Sequence, residues 1–287
     1  MDRRPKRIPR VITRSVDELS SGSRLLSVKV VILCGGQGTR IRGVSEDLPK
    51  PMLNVGGMPI VWHIMKYFLS YGHDEFVLCL GHKGSLIKDF FVNYEHHVND
   101  ITIRSGKEPR VVVHSRVATE AWSVTLAETG EHTQTGGRVA RVLNYLDEDE
   151  PFFLTYGDGV SNVCLDSLLA RHRSLRATLT VTGVMPPGRF GELQLGADDS
   201  VIGFNEKPQV TGGLISGGFF VCGPEIRHYL SGHADEIFER EPMNRLVEDG
   251  QMQVYRHPDF WQCMDTPRDW TYLNELVQRG EAPWIRW

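Results

Sequence analysis

The sequence predicts an α/β protein, with helices around a Rossmann-like, mixed but mainly parallel sheet and a small β-rich subdomain. Three observations carry this prediction. The run Val28-Lys29-Val30-Val31-Ile32-Leu33 is β-branched and apolar and stops at paired glycines, as a buried parallel strand does before a ligand loop. Strand-like and helix-like stretches then alternate at short intervals, the pattern of a parallel sheet. Residues 186–222 are glycine-rich with short strand-like runs, which reads as a lid or subsheet.

The elements follow in chain order. Residues 59–69 have helical spacing, with Pro59 at a first-turn position. Residues 75–80 are the next strand, ending at Gly81, and residues 86–91 continue as helix. Residues 101–124 alternate β-like runs with charged turns. Helix is expected at 139–146, and a central strand at 151–156, ending at Gly157-Asp158-Gly159. Residues 165–172 read as helix, 177–184 as strand, and 241–248 and 267–277 as closing helices. Residues 1–27 stand apart as a basic arm carrying Arg3, Arg4, Lys6, Arg7, Arg10 and Arg14, expected to be mobile or to contact a neighbouring subunit. Residues 28–287 form the main domain.

Composition excludes several function classes. A net charge of -4 gives no reason to expect nucleic acid or an anionic membrane as partner. Any phosphate chemistry must therefore concentrate its cations locally. The five cysteines (Cys34, Cys79, Cys164, Cys222 and Cys263) form no C-x-x-C pair and no His-Cys cluster, which excludes the common zinc spacings and a disulfide framework. A reducing, cytoplasmic compartment is expected. No stretch has the length of a transmembrane helix, and no signal-peptide core is present.

Four sites carry the chemistry. The first is the loop Gly35-Gly36-Gln37-Gly38-Thr39-Arg40 after the first strand. Its glycines let backbone N–H groups approach an oxyanion closely. Thr39-Arg40 after Gly38 breaks the Walker pattern, and Ile41 stands where a dinucleotide fingerprint needs its third glycine. What remains is a glycine turn with an arginine suited to bidentate phosphate contact. Lys50, stiffened by Pro49 and Pro51, adds a second cation. The second site is Asp158 between two glycines at a strand's carboxyl end, where open α/β sheets bind ligands. Its carboxylate suits Mg²⁺, although an Asp-Gly turn alone would explain the residues. The third is Phe204-Asn205-Glu206-Lys207-Pro208, where Glu206 could accept hydrogen bonds from hydroxyls and Lys207 neutralise a phosphate, or both could be an exposed charged turn. The fourth is Asp265-Thr266-Pro267, where Asp265 or Thr266 caps a helix with Pro267 in its first turn; capping does not exclude metal ligation.

These sites, in this order, resemble the sugar nucleotidyltransferase family, with detail nearest its glucose-1-phosphate cytidylyltransferase branch. The resemblance runs from Val28 to Trp287 through Thr135-Gly136-Gly137-Arg138, Thr155-Tyr156-Gly157-Asp158-Gly159-Val160, Pro186-Pro187-Gly188-Arg189-Phe190-Gly191, Gly217-Gly218-Phe219-Phe220 and Ala282-Pro283-Trp284. It implies a nucleotidyltransferase fold with a sugar-binding subdomain near residues 186–222. It also implies a CTP site built from Leu33, Gly35, Gly36, Gln37, Gly38, Thr39, Arg40, Lys50, Gly81, Thr133, Arg138 and Gly157. Asp158 and Asp265 would hold Mg²⁺, Glu206 and Lys207 the sugar phosphate, and Gly191, Glu192, Ser216 and Gly217 would face the sugar. Arg40, Lys50, Asp158 and Lys207 would carry the catalysis, in a homo-oligomer that makes a CDP-sugar and pyrophosphate.

The chain departs from the family pattern at three positions. Ser216 stands where the pattern has Asn, Glu192 where it has a small residue, and Gln37 where it has an apolar one. The first two leave the acceptor open between glucose 1-phosphate and another phosphorylated compound. UTP or dTTP is the rival donor. An inactive nucleotide-binding subunit is the rival of another class, against which all the expected charged positions stand present. The missing third glycine disfavours a dehydrogenase.

Overall fold

The structure is a computed structural model; it describes residues 27–36, 38, 41, 44, 47–105, 110–114, 120–185, 192–195, 200–205 and 213–287. The strands are β1 (Val30–Leu33), β2 (Asn54–Val55), β3 (Met58–Pro59), β4 (Glu75–Leu80), β5 (Asp100–Arg104), β6 (Arg110–His114), β7 (Ser123–Glu128), β8 (Phe152–Tyr156), β9 (Gly159–Ser161), β10 (Leu179–Val184), β11 (Glu192–Leu195), β12 (Val201–Asn205), β13 (Ile215–Cys222), β14 (Met252–His257) and β15 (Trp261–Cys263). The helices are α1 (Ile60–Leu69), α2 (Gly84–Val92), α3 (Tyr94–Val98), α4 (Thr135–Val142), α5 (Leu165–Leu175), α6 (Glu241–Glu248) and α7 (Pro267–Arg279). Seven strands form the central sheet in the order β14-β10-β13-β8-β1-β4-β7. β1 pairs in parallel with both β4 and β8, while β13 runs antiparallel between β8 and β10. The mixed, mainly parallel sheet expected from the sequence is present.

Strand alternation places the core on both faces. Val30 and Ile32 of β1 pack with α1, with Leu165, Leu168 and Leu169 of α5, and with Trp284 on one face. Val31 and Leu33 pack with Val139 and Val142 of α4, with Phe238 and with Leu246 of α6 on the other. Such two-sided burial is why the strand reads as a continuous apolar run.

Three sequence boundaries shift. Pro59 lies outside α1 as its N-terminal cap residue in extended backbone, because it also closes the β2–β3 hairpin. The helix expected at 139–146 starts at Thr135 and tightens to a 3-10 turn at Leu143–Tyr145, since Thr135 Oγ1 accepts the Phe238 N–H and Gly136 and Gly137 lie close against 233–236. β13 joins the main sheet instead of a separate subsheet: its run Phe219-Phe220-Val221-Cys222 is buried between β8 and β10. The small hairpin inside 186–222 is β11 with β12. Residues 1–26 of the basic arm lie outside the described residues.

Three of the buried histidines, His63, His73 and His172, set an acid limit on stability. His63 donates from Nε2 to the Val55 carbonyl and accepts at Nδ1 from Trp284 Nε1, which defines a neutral ring. Burial holds His63, His73 and His172 each down to about 4, against 6.5 for an ordinary histidine. Below 6.5 the unfolded chain takes up protons that the folded chain refuses. Stability is therefore fully present above 6.5 and is lost as pH falls toward 4, by up to about 1.4 kcal/mol per pH unit for each ring. The urea midpoint is expected to be level from pH 7 to 8 and to fall steeply toward pH 5; a midpoint that holds at pH 5 would contradict these neutral rings.

Candidate active site

The site sits at the carboxyl ends of β1 and β8, with residues 131–135 leading into α4, around a cavity of about 570 Å³. β1 leads into Cys34-Gly35-Gly36, whose path is pinned on both sides. Cys34 N donates to the Cys79 carbonyl, His82 N to the Gly35 carbonyl and Gly157 N to the Leu33 carbonyl. Leu33, Gly35, Gly36, Gly38, Lys50, Thr133, Arg138, Gly157, Asp158 and Asp265, all picked out from the sequence, line this one cavity. Gln37, Thr39, Arg40, Gly191, Glu206 and Lys207 lie outside the described residues.

Lys50 opens a 3-10 turn (Lys50–Met52) anchored by buried Pro51 and Met52. From it the ammonium reaches between two carboxylates, 2.6 Å from Asp158 Oδ2 and 2.5 Å from Asp265 Oδ1. Burial alone would lower its pKa; the Asp158 charge and the hydrogen bonds to both acids outweigh that and raise it, so the group stays charged. Three residues far apart in sequence, 50, 158 and 265, thus meet at a point.

Short-range structure explains how the acids converge. β15 pairs antiparallel with β9, setting Cys263 opposite Gly159, and Met264 N donates to the Asp158 carbonyl. Thr266 caps α7 in a reciprocal capping box with Asp269, whose Oδ2 also accepts the Asp265 N–H. The cap is therefore Thr266, and the Asp265 side chain is released to face Lys50.

Arg138 acts differently from a free phosphate donor. Its Nη1 donates to the Leu80 carbonyl, Thr129 Oγ1 and the Gly130 carbonyl, and its Nη2 to the carbonyls of Gly35 and Glu131. The guanidinium is a strut under the glycine loop. It passes so close that a Cβ at Gly35 would lie 2.1 Å from Cζ, and one at Gly81 would lie 2.5 Å from Nη1. Gly81 does not line the cavity; glycine is required there by the arginine beside it. Thr133 lines the cavity, with its hydroxyl already accepting from Arg141 Nη1.

Replacing Arg138 by Lys is expected to leave several carbonyls unpaired, because an ammonium cannot span that fork of acceptors. The loss should be about 3 kcal/mol of stability, with nucleotide affinity down about tenfold as the loop loosens. Urea unfolding and calorimetric nucleotide titration check this, and a variant unchanged in both would deny the strut.

Among the described residues Ser216 and Gly217 do not line the cavity, and the Glu192 side chain lies outside what is described. Register nevertheless sets Glu192 opposite Asn205, the residue before Glu206. Ser216 is exposed at the start of β13, where Trp261 Nε1 donates to the Gly217 carbonyl. Sequence reasoning missed Tyr156, Glu131 and Gln134 on the cavity wall, and Cys263 beside the two acids. Adjacency to Gly157-Asp158 and to Thr133 was the available signal for the first three.

A family model described as nucleotidyl transferase matches residues 29–277. A glucose-1-phosphate cytidylyltransferase of Salmonella typhimurium is 43% identical over 260 residues, covering 91% of this chain and 100% of that protein. A mannose-1-phosphate guanylyltransferase of Mycobacterium tuberculosis is 29% identical over 262 residues, covering 89% of this chain and 66% of that one. The crystal structure of HddC from Yersinia pseudotuberculosis shares the fold, with a TM-score of 0.64, 23% identity and coverage of 87% of this chain and 99% of that one. With the glycine loop, Lys50 and two acids converging on one cavity, and with the family model spanning most of its length, the chain belongs to the nucleotidyl transferase family.

Proposed function

We propose that the protein transfers a cytidylyl group from CTP to a sugar 1-phosphate, glucose 1-phosphate or a related acceptor, releasing pyrophosphate. The observation that carries this is the meeting of Lys50, Asp158 and Asp265 on the wall of a cavity that Gly35, Gly36 and Gly38 also line. Full-length similarity to a cytidylyltransferase favours cytosine over the other bases.

The chemistry needs no general base, because the attacking phosphate oxygen is already an anion. The protein's task is to bring two anions together in line. The Gly35-Gly36 backbone offers a close approach to the triphosphate. Lys50 exchanges a carboxylate partner for the phosphate at which charge develops, and Arg40 and Lys207 are assigned to the leaving pyrophosphate and the attacking phosphate. Asp158 and Asp265 would hold a divalent ion: two carboxylates already disposed around an ammonium fit a cation that takes one or two protein carboxylates and completes its shell with phosphate and water. Such an ion, when bound, supplies neutralisation at the phosphate oxygens.

The test is pyrophosphate release across CTP, UTP, dTTP and ATP with a panel of sugar 1-phosphates. CTP with a hexose 1-phosphate is expected to exceed the other pairs by at least about tenfold in kcat/KM. No release with any pair would support a binding subunit instead, and preference for another nucleotide would overturn the cytidylyl reading.

A further inference from the structure

We propose that Glu239 is a positioning residue for the nucleotide, a strap that ties two walls of the cavity together through Tyr156 and Thr135. The proposal rests on the nucleotide-transfer reading for the identity of its ligand. Both hydrogen bonds described for Glu239 go to hydroxyls of residues that line the cavity. The Tyr156 hydroxyl donates to Glu239 Oε1, and the Thr135 hydroxyl donates to Oε2 at 2.6 Å. Tyr156 ends β8 directly before Gly157-Asp158, whereas Thr135 opens α4 one turn before Arg138. The carboxylate therefore joins the wall beside Asp158 to the wall built by residues 131–135.

Each anchor is prepared for this contact. The Tyr156 ring lies edge-on to Phe220 with centroids 5.9 Å apart, and Gly218 leaves it room, since a Cβ there would come within 2.4 Å of the ring. Burial and the Glu239 charge push the Tyr156 hydroxyl up, so it stays a proton donor. Thr135 Oγ1 accepts the Phe238 N–H at 2.9 Å, which leaves its own proton for Glu239. Phe238 is fully buried, and the Ala234 and Glu236 carbonyls accept the N–H groups of Gln134, Gly136 and Gly137. The chain leading to Glu239 is thus fixed against the start of α4, and the Glu239 side chain spans the gap to β8. Glu239 itself is exposed, so its two bonds matter little for folding. What they set is where an aromatic ring and the first turn of α4 stand before the nucleotide arrives.

The test measures CTP affinity by calorimetry, beside kcat and KM for pyrophosphate release, in the full-length protein. Glu239→Ala is expected to weaken CTP binding and raise its KM about tenfold, with kcat within about threefold and the urea midpoint unchanged. Glu239→Gln keeps an acceptor for Tyr156 and offers an amide N–H to Thr135 Oγ1, so CTP affinity should hold, or tighten as one negative charge is removed. Tyr156→Phe cuts the same connection as Glu239→Ala, so the double variant should bind CTP no more weakly than either single one. A Gln variant as weak as the Ala variant makes the charge, and not the bridge, the cause. Additive losses in the double variant separate Glu239 from Tyr156. Either result overturns the proposal, as does an Ala variant with CTP affinity intact, whatever its stability. Should Glu239→Ala fail to fold, Tyr156→Phe alone reads the same affinity. Weaker CTP binding in the Ala variant, with no pyrophosphate release by the wild type, removes only the transferase. Release by the wild type with affinity unchanged in the variant removes only the strap, and a wild type that binds no CTP removes both.

Discussion

Asp158→Asn is expected to lower turnover by two to three orders of magnitude with little change in fold stability. The substitution keeps the shape of the side chain and removes its charge. Three consequences follow from the geometry. An amide is a poor ligand for a hard divalent ion, so the Mg²⁺ requirement should rise with the fall in kcat. The Lys50 ammonium loses the partner at 2.6 Å and keeps only Asp265, so its direction is no longer fixed by two opposing contacts. The neutralised position no longer repels a triphosphate, so metal-free nucleotide binding should hold or tighten slightly. Loss of one preorganised charge contact at a phosphoryl centre is worth about 3–4 kcal/mol, or roughly 10²–10³ in rate. Stability should move little because Lys50 retains one carboxylate and Asp158 is partly exposed. Steady-state pyrophosphate release over a Mg²⁺ series, with calorimetric CTP binding, checks all three. Near-normal Mg²⁺-dependent turnover would remove Asp158 from the metal assignment.

What was legible beforehand depended on whether the signal was local. The strand before Gly35 could be read because two-sided burial demands an unbroken apolar run, and the loop because glycines must follow it. Asp158 and Asp265 were visible as acids at a strand end and before a helix, but each had an equally good local explanation. Only the β9–β15 pairing, between residues a hundred apart, makes them a pair. The strut role of Arg138 was illegible for a related reason. Its acceptors are mostly backbone carbonyls at 35, 80, 130 and 131, and a carbonyl leaves no mark in a sequence. Cys263 was hidden because the acids beside it are Asp265, two residues on, and Asp158, reached across the β9–β15 ladder. The glycine-rich reading of 186–222 blurred β13, where glycines at 217 and 218 lie inside a buried central strand: Gly218 has φ +74 and sits where a Cβ would strike the Tyr156 ring. Composition averages over such a junction, while packing does not.

Lys50→Met tests whether one ammonium serves two states. It stands between the acids at 2.6 and 2.5 Å, the place a divalent ion would take, and it is the described cation on the cavity wall nearest both carboxylates. A pair of unit charges at 4 Å is worth about 4 kcal/mol at an effective dielectric of about 20, so an ion arriving without nucleotide must displace a comparable attraction. Removing the ammonium should therefore tighten nucleotide-free Mn²⁺ binding by at least about tenfold, because two carboxylates are left facing one another. The same change should lower kcat by about a hundredfold, because the developing charge at the phosphate loses its neutralising partner. The two effects have opposite signs, and no simple loss of folding produces both. In the native protein the triphosphate would draw Lys50 off the acids as it brings its own ion, which couples metal entry to nucleotide entry. Mn²⁺ titration followed by electron paramagnetic resonance, alongside pyrophosphate release, reads each arm separately. Unchanged Mn²⁺ affinity would mean the ammonium does not occupy the ion's place, and unchanged kcat would remove Lys50 from the chemistry.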